Sequence, residues 1–228
     1  MRLPDHIGII PDGNRRWAQK NGLSKDKGYQ HGLQPGLELY RLCKQRGIKE
    51  ITYYGFTMDN TKRPSKQTKA FRQACVDAVE MLAEEDASLL VVGNQESPLF
   101  PQKLLKYTTR TDLGTAKIKV NFLVNYGWKW DLNGSFENIL IENEKNANKK
   151  KNTKVKNTKL PNLIHSRSIS RIDLIIRWGN RRRLSGFLPL QSVYADFFII
   201  RDLWPDFKKK HLHKALTWYD KQDPTYGG

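Results

Sequence analysis

Short β-branched runs alternate with amphipathic segments along the 228 residues, and Pro, Gly, Asp and Asn stand where the runs end. That alternation argues for an α/β fold, an open, mostly parallel sheet surrounded by helices. A chain of this size buries roughly 70% of its unfolded surface, so residues 1–228 read as a single domain with one core.

The elements follow in order. His6–Ile10 is short, β-branched and stopped by Pro11, as a buried parallel strand would be. Asn14 to Lys20 opens a helix. A second helix is expected over Leu33–Gln45, with Leu33, Leu37, Tyr40 and Cys43 on one face and Pro35 tolerated near its start. Ile51–Phe56 reads as a strand. Lys69–Glu85 has the clearest helical period, with Phe71, Cys75, Ala78, Val79 and Leu82 on one face. Leu89–Val92 and Ile118–Val124 are further strands, and Ser135–Glu144 is helical. Asp173–Arg177 and Phe197–Ile200 complete the strands, and a last helix lies within Phe207–Tyr219.

Composition narrows the function classes. No run of about 18 apolar residues is present, and Met1–Ile10 is too short for a secretory signal, so a cytoplasmic protein is expected. Cys43 and Cys75 sit in helical stretches without metal-like spacing, which points to a reduced protein without structural zinc. Lys and Arg total 40 against 23 acids, a net charge of +17. Seven of those lysines fall in Lys145–Lys159, which has no acid and cannot build a core, so it reads as a solvated, mobile insertion. The remaining arginines cluster at motif-like places and point to an anionic ligand, without saying which anion.

In parallel sheets ligands bind beyond the carboxyl ends of the strands, and three such ends carry chemistry. After Ile10 comes Pro11-Asp12-Gly13-Asn14-Arg15-Arg16-Trp17-Ala18. A helix opening here offers free N–H groups to a phosphate, Gly13 permits close approach, and Arg16 adds a charged fork. A carboxylate beside a phosphate suits Mg²⁺. The plainer reading of Asp12-Gly13-Asn14 is a capped turn. After Phe56, the loop to Pro64 offers Asn60 and Arg63, although such a composition is most often only a loop. After the third strand end, Arg177, Arg181, Arg182 and Arg183 would repel one another unless an anion compensated them, and Ser185 adds a hydroxyl. The plain alternative there is an exposed basic turn.

Taken together, the string from His6 to Ala18 resembles the first signature of cis-prenyltransferases, the undecaprenyl diphosphate synthase family. The likeness continues through Asn60, Arg63-Pro64, Asn125-Tyr126-Gly127, Asp173–Arg177, Arg183-Leu184-Ser185, Phe187, Gln191 and Tyr194-Ala195-Asp196. It implies the open α/β sheet, a homodimer, and condensation of an allylic prenyl diphosphate with isopentenyl diphosphate, with release of pyrophosphate. By the same resemblance Asp12 would bind or organise Mg²⁺, with Asp196 near the metal. Gly13, Asn14, Arg15, Arg16 and Trp17 would line the allylic diphosphate site, and Arg63 would help hold that substrate. Asn60 with Asp12 would serve proton removal, while Arg177, Arg183 and Ser185 would bind the second diphosphate. The helix face Phe71–Cys75–Val79–Leu82 offers a wall for the hydrocarbon tail, or plain packing against the sheet.

The chain departs from the family pattern in several places. Met58-Asp59 replaces a usual Glu, Thr61 a Trp, Tyr29 a His, Arg181 an acidic residue, Trp128-Lys129 a Gly-Arg, and Asp196 a Glu. The diphosphate machinery is kept while its surroundings change. That leaves room for a second reading, a short, branched or cyclised lavandulyl-type product, or hydrolysis of a prenyl diphosphate. A third, a non-catalytic partner or nucleic-acid binder, is opposed by the retained Asp12, Asn60 and Arg183, and no nucleic-acid partner is expected. The Lys-rich insertion adds a candidate peripheral contact with an anionic membrane surface.

Overall fold

The computed structural model describes residues 1–147 and 160–223. The Lys-rich stretch at 145–159 lies outside the described residues, save for the helical backbone of its first three positions. Among the described residues the strands are β1 (His6–Ile10), β2 (Glu50–Tyr54), β3 (Ser88–Val92), β4 (Thr111–Asp112), β5 (Lys119–Leu123), β6 (Leu174–Arg177) and β7 (Asp196–Ile199). They form one sheet in the order β4-β3-β5-β2-β1-β6-β7. Every pairing is parallel except that of β4 with β3. The helices are α1 (Asn14–Lys20), α2 (Leu33–Gln45), α3 (Ser65–Ala83), α4 (Trp128–Ala147) and α5 (Lys209–Asp220), with a 3-10 turn at Lys25–Gly32.

The apolar runs are continuous because the central strands are covered on both faces. On one side Ile7, Ile9, Ile51, Leu89, Val120 and Ile176 pack against Leu39, Tyr40 and Cys43 of α2, Val79 and Leu82 of α3, and Leu216 of α5. On the other, Ile10, Leu90, Leu123 and Ile175 meet Tyr126, Phe187 and Leu188. Each such Leu or Ile stabilises the fold by ~1.5–3 kcal/mol. Gly8 sits mid-strand because a Cβ there would lie 2.5 Å from the ring of Phe187, which closes the second face.

Most predicted elements stand where the pattern puts them, and the differences have local causes. The strand expected to reach Phe56 ends at Tyr54, with the Gly55 N–H making a last bond to the Leu123 carbonyl at 3.1 Å. Helix α3 starts four residues early, at Ser65, because Pro64 caps a polar first turn that carries no apolar signal. Helix α4 begins at Trp128, directly after Asn125-Tyr126-Gly127, with a half-exposed Trp128 that blurs the period. The two-residue edge strand β4 was not legible at all.

Candidate active site

Register brings the first and third strand ends together. Ile10 pairs with Arg177 in the parallel β1–β6 ladder, so the chain leaving β1 at Asp12 runs beside the end of β6. Gly13 follows with φ of 122°, a left-handed conformation that suits glycine and turns the chain into α1. Asp12 then receives two guanidinium groups. Arg16, one helical turn on, approaches Oδ1 at 3.2 Å, and Arg177 donates to Oδ2 at 2.8 Å. Arg16 also donates to the Gly179 carbonyl at 2.9 Å.

Arg177 is the better buried of the two, with its side chain 4% exposed. Its second nitrogen donates to Ser185 Oγ at 3.0 Å and to the carbonyl of Arg183. The loop reaches this position through left-handed turns at Gly179, Asn180, Ser185 and Gly186. Tyr54, at the end of β2, donates to the Ser185 carbonyl at 2.7 Å, and burial raises its phenol well above the usual value.

The second loop supplies the opposite wall. Asn60 folds back so that its Oδ1 accepts the Thr57 N–H at 3.1 Å, which fixes the turn carrying it. Arg63 donates to the Tyr29 hydroxyl at 3.0 Å and lies 5.6 Å from the centre of the Phe71 ring. Tyr29 stacks on Phe71 with centroids 4.5 Å apart. Burial raises the Tyr29 phenol, opposed by the charge of Arg63. Arg15 is held by Gln67 at 3.2 Å.

These walls enclose a cleft of about 600 Å³. Asp12, Gly13, Asn14, Arg15, Arg16, Asn60, Arg63, Arg177, Arg183 and Ser185 all line it. Seven cationic side chains face two carboxylates there, Asp12 and Asp59, so the cleft is an anion site in charge as well as in shape. Lys25, Gln19 and Tyr54 line it too, and no motif flagged them. The substituted Tyr29, Trp128 and Arg181 are also on its wall.

Two predicted residues are elsewhere. Trp17 turns away, its indole donating to Asp206 at 2.8 Å and packing on His31 at 4.4 Å. Asp196 opens β7 opposite Leu174, whereas Ile10, Arg177 and Ile199 mark the level of the cleft. Three residues of strand, about 10 Å, separate those levels. The strand direction therefore carries Asp196 to the far edge of the sheet, and the chain does not bring it to Asp12 as a metal partner. Burial pushes its carboxyl up, with the charge of Arg2 opposing.

A second, apolar cavity of about 60 Å³ opens from the cleft between α2, α3 and the sheet. Leu33, Leu37, Ala74, Cys75, Ala78, Met81 and Leu82 line it, and Tyr29, Tyr54 and Phe71 border both spaces. Of the face Phe71–Cys75–Val79–Leu82, Phe71, Cys75 and Leu82 line this cavity and Val79 does not, while Cys75, Val79 and Leu82 all belong to the core. Cys43 and Cys75 are free and buried, and burial pushes both thiols up to about 12. For Mg²⁺ the cleft offers hard oxygen from Asp12, with its side chain 30% exposed. A single such carboxylate fits the ion only together with phosphate oxygens from a ligand.

Comparison with known proteins agrees with this architecture. The family model described as "Putative undecaprenyl diphosphate synthase" matches residues 10–227. An isoprenyl transferase of Thermotoga maritima is 31% identical, over 100% of this chain and 98% of that protein. The ditrans,polycis-undecaprenyl-diphosphate synthase ((2E,6E)-farnesyl-diphosphate specific) of Pasteurella multocida is 30% identical, over 99% of this chain and 95% of that one. The crystal structure of lavandulyl diphosphate synthase from Lavandula x intermedia, in complex with dimethylallyl diphosphate, superimposes with a TM-score of 0.84. It covers 99% of both chains at 21% identity and so speaks for the fold. The chain belongs to the undecaprenyl diphosphate synthase family of cis-prenyltransferases, and it is a prenyltransferase.

Proposed function

We propose that the enzyme condenses an allylic prenyl diphosphate with isopentenyl diphosphate in the presence of Mg²⁺ and releases pyrophosphate. The observation that carries this reading is the placement of Asp12, Arg16 and Arg177 in a cationic cleft that opens into an apolar cavity. A molecule with an anionic head and a hydrocarbon tail fits the two spaces together. Arg15, Arg16 and Arg63, with the backbone at Gly13 and Asn14, hold the allylic diphosphate. Arg177, Arg183 and Ser185 hold the second.

Charge builds on the leaving diphosphate as the allylic cation develops, and fixed arginines in a partly dry cleft stabilise that charge without reorganising. Mg²⁺, bound through Asp12 and phosphate oxygens, would supply further neutralisation of the same group. Asn60 is an amide without basicity of its own. Its part is orientation, with Asp12 Oδ accepting the proton lost from the isopentenyl unit. The test is mass spectrometry of products from isopentenyl diphosphate with C5, C10, C15 or C20 allylic diphosphates. A ladder ending at one length supports elongation, and no turnover with any primer overturns the reading.

A specific observation favours the second reading, a short, branched or cyclised product. A cavity of about 60 Å³ admits roughly four to six water molecules, about the room of one or two isoprene units. Two C5 units joined into one isomer would be its signature, and free alcohol would instead mark diphosphate hydrolysis. The relative from Pasteurella is named for a farnesyl substrate and the lavender structure holds dimethylallyl diphosphate, so the assay must span both lengths.

The working form we propose is a cytoplasmic homodimer. Among the described residues no helix is long and apolar enough to cross a membrane. The charge of Lys145–Lys159 supports a peripheral contact with anionic lipid. Co-sedimentation with anionic vesicles should fall when the segment is deleted, and unchanged binding would sink the idea.

A further inference from the structure

Tyr29, Tyr54 and Phe71 border both the cationic cleft and the apolar cavity behind it, and they are held differently. Tyr54 donates to the Ser185 carbonyl at 2.7 Å, and Phe71 is edge-on to Phe56 at 5.7 Å, so both are fixed by the protein's own frame. Tyr29 is fixed by a residue that the proposed function gives to the ligand. Its hydroxyl accepts from Arg63 at 3.0 Å, and its ring lies flat on Phe71, with centroids 4.5 Å apart and planes 6° apart. The backbone beneath that ring is locked. A Cβ on Gly28 would run into the Asn14 carbonyl, and Gln30 donates to Asp77 of α3 at 2.9 Å. What can move is the ring, by rotation about its own side-chain bonds.

Arg63 is the weakly satisfied partner. Its charge is met by a neutral hydroxyl, since burial raises the Tyr29 phenol, and by the Phe71 ring at 5.6 Å. A diphosphate offers the guanidinium both charge and a bidentate geometry, and so outcompetes a single phenol oxygen. The Tyr29 ring then loses the bond that fixes its hydroxyl. We infer that Tyr29 is a specificity-determining residue, admitting a hydrocarbon tail to the cavity only once an anionic head has drawn Arg63 away. The tail needs that movement. The space bordered by Tyr29 and Phe71 is about 60 Å³, and a chain longer than one or two isoprene units must displace a bordering ring. An uncharged apolar molecule finds the ring held in place, whereas a molecule carrying head and tail together releases it. The inference deepens the proposed function and rests on it for the tailed diphosphate. Because both events compete for one hydrogen bond, head and tail must strengthen each other's binding by one common factor.

The experiment is equilibrium dialysis of the full chain against radiolabelled geraniol, an uncharged C10 tail, with and without inorganic pyrophosphate in one Mg²⁺ buffer. Retention by the wild type should rise by at least about tenfold with pyrophosphate, the factor that a hydrogen bond to a charged group carries. Tyr29→Phe keeps the ring and its stack but has no hydroxyl for Arg63. It should retain geraniol alone about as well as the wild type does with pyrophosphate, and its own gain should shrink to within about twofold. Wild-type retention that pyrophosphate leaves unchanged overturns the inference, as does a full tenfold gain in Tyr29→Phe. The reciprocal arm needs no variant, so a misfolded mutant leaves the test intact. Geraniol must raise wild-type retention of labelled pyrophosphate by the same factor, and a flat response there overturns the inference too. Coupling as expected, with no condensation from any allylic primer, would sink the condensation reading and leave this inference standing. Condensation without coupling would do the reverse.

Discussion

Asp12 and Phe71 divide the chemistry at the level of single side chains. Asp12→Asn keeps the shape but leaves one acceptor oxygen where Arg16 and Arg177 each used one, and it removes the charge that a cation and a proton need. Turnover should fall by about 10²–10³, the usual cost of losing one preorganised electrostatic contact, while the melting temperature moves little. Steady-state rates beside a thermal melt separate that outcome from unfolding. Phe71 stands where the cleft narrows into the apolar cavity, stacked on Tyr29 and edge-on to Phe56 at 5.7 Å. Phe71→Leu keeps an apolar side chain and removes the flat stack, so the passage widens. Products should lengthen by at least one isoprene unit, read by mass spectrometry with the same primer. An unchanged distribution would place the length limit deeper, near Met81 and Leu82.

At the scale of elements, the amino ends of β1, β2 and β5 share a buried polar network on the edge of the sheet away from the cleft. His6 Nε2 lies 2.8 Å from Thr52 Oγ1, Asn121 donates to Glu50 at 2.7 Å, and Ser170 donates to Glu50 at 2.7 Å. Burial lowers the His6 value below the usual 6.5, against Glu50, Asp173 and backbone carbonyls that raise it. For Glu50 burial pushes up, but His6, Asn121 and Ser170 together bring it below its usual value. Both shifts have one consequence. Below pH 6.5 the unfolded chain binds a proton at His6 that the native chain refuses, so stability falls as the pH drops toward the native value. Glu50 extends the loss below its unfolded value of 4.5. His211, buried beside Asp202, shifts in the same direction as His6. His6→Gln should thus lower the melting temperature at pH 8 yet flatten its decline between pH 7 and 5, leaving the share due to His211. A parallel decline in both proteins would refute the assignment. The strands holding this network were legible because each is a short, largely buried apolar run, ended by Pro11 after β1, Gly55 after β2 and Asn125 after β5. Ser65–Thr68, the polar start of α3, was not legible, because amphipathic period is carried by apolar residues and a polar first turn has none.

Across the whole molecule, the cleft was readable because three strand ends each carried a dense polar string, and parallel topology gathers such ends on one edge. What failed was depth along a strand. Asp196 followed the motif order but sits at the wrong end of β7, and Trp17 belongs to the string yet faces Asp206. Motif order says which residues travel together, and only register says which edge they reach. Oligomeric form is a further property that register inside one chain does not reveal, although surface chemistry bears on it. On α4, Phe136 and Leu140 are 67% and 63% exposed, and Val193 before β7 is 63% exposed. Phe136 and Leu140, four residues apart on one face of α4, form an exposed apolar pair that is costly in water and suits a surface that a partner covers. If a second copy of the chain covers α4, Phe136→Glu combined with Leu140→Lys buries charge in that interface. Light scattering should then report a protomer of 26.5 kDa in place of twice that mass. The monomer should keep its circular dichroism spectrum, because neither side chain belongs to the core of its own chain. A wild-type protein already monomeric at assay concentration would remove the homodimer from the working form, and the cleft within each chain would have to act alone.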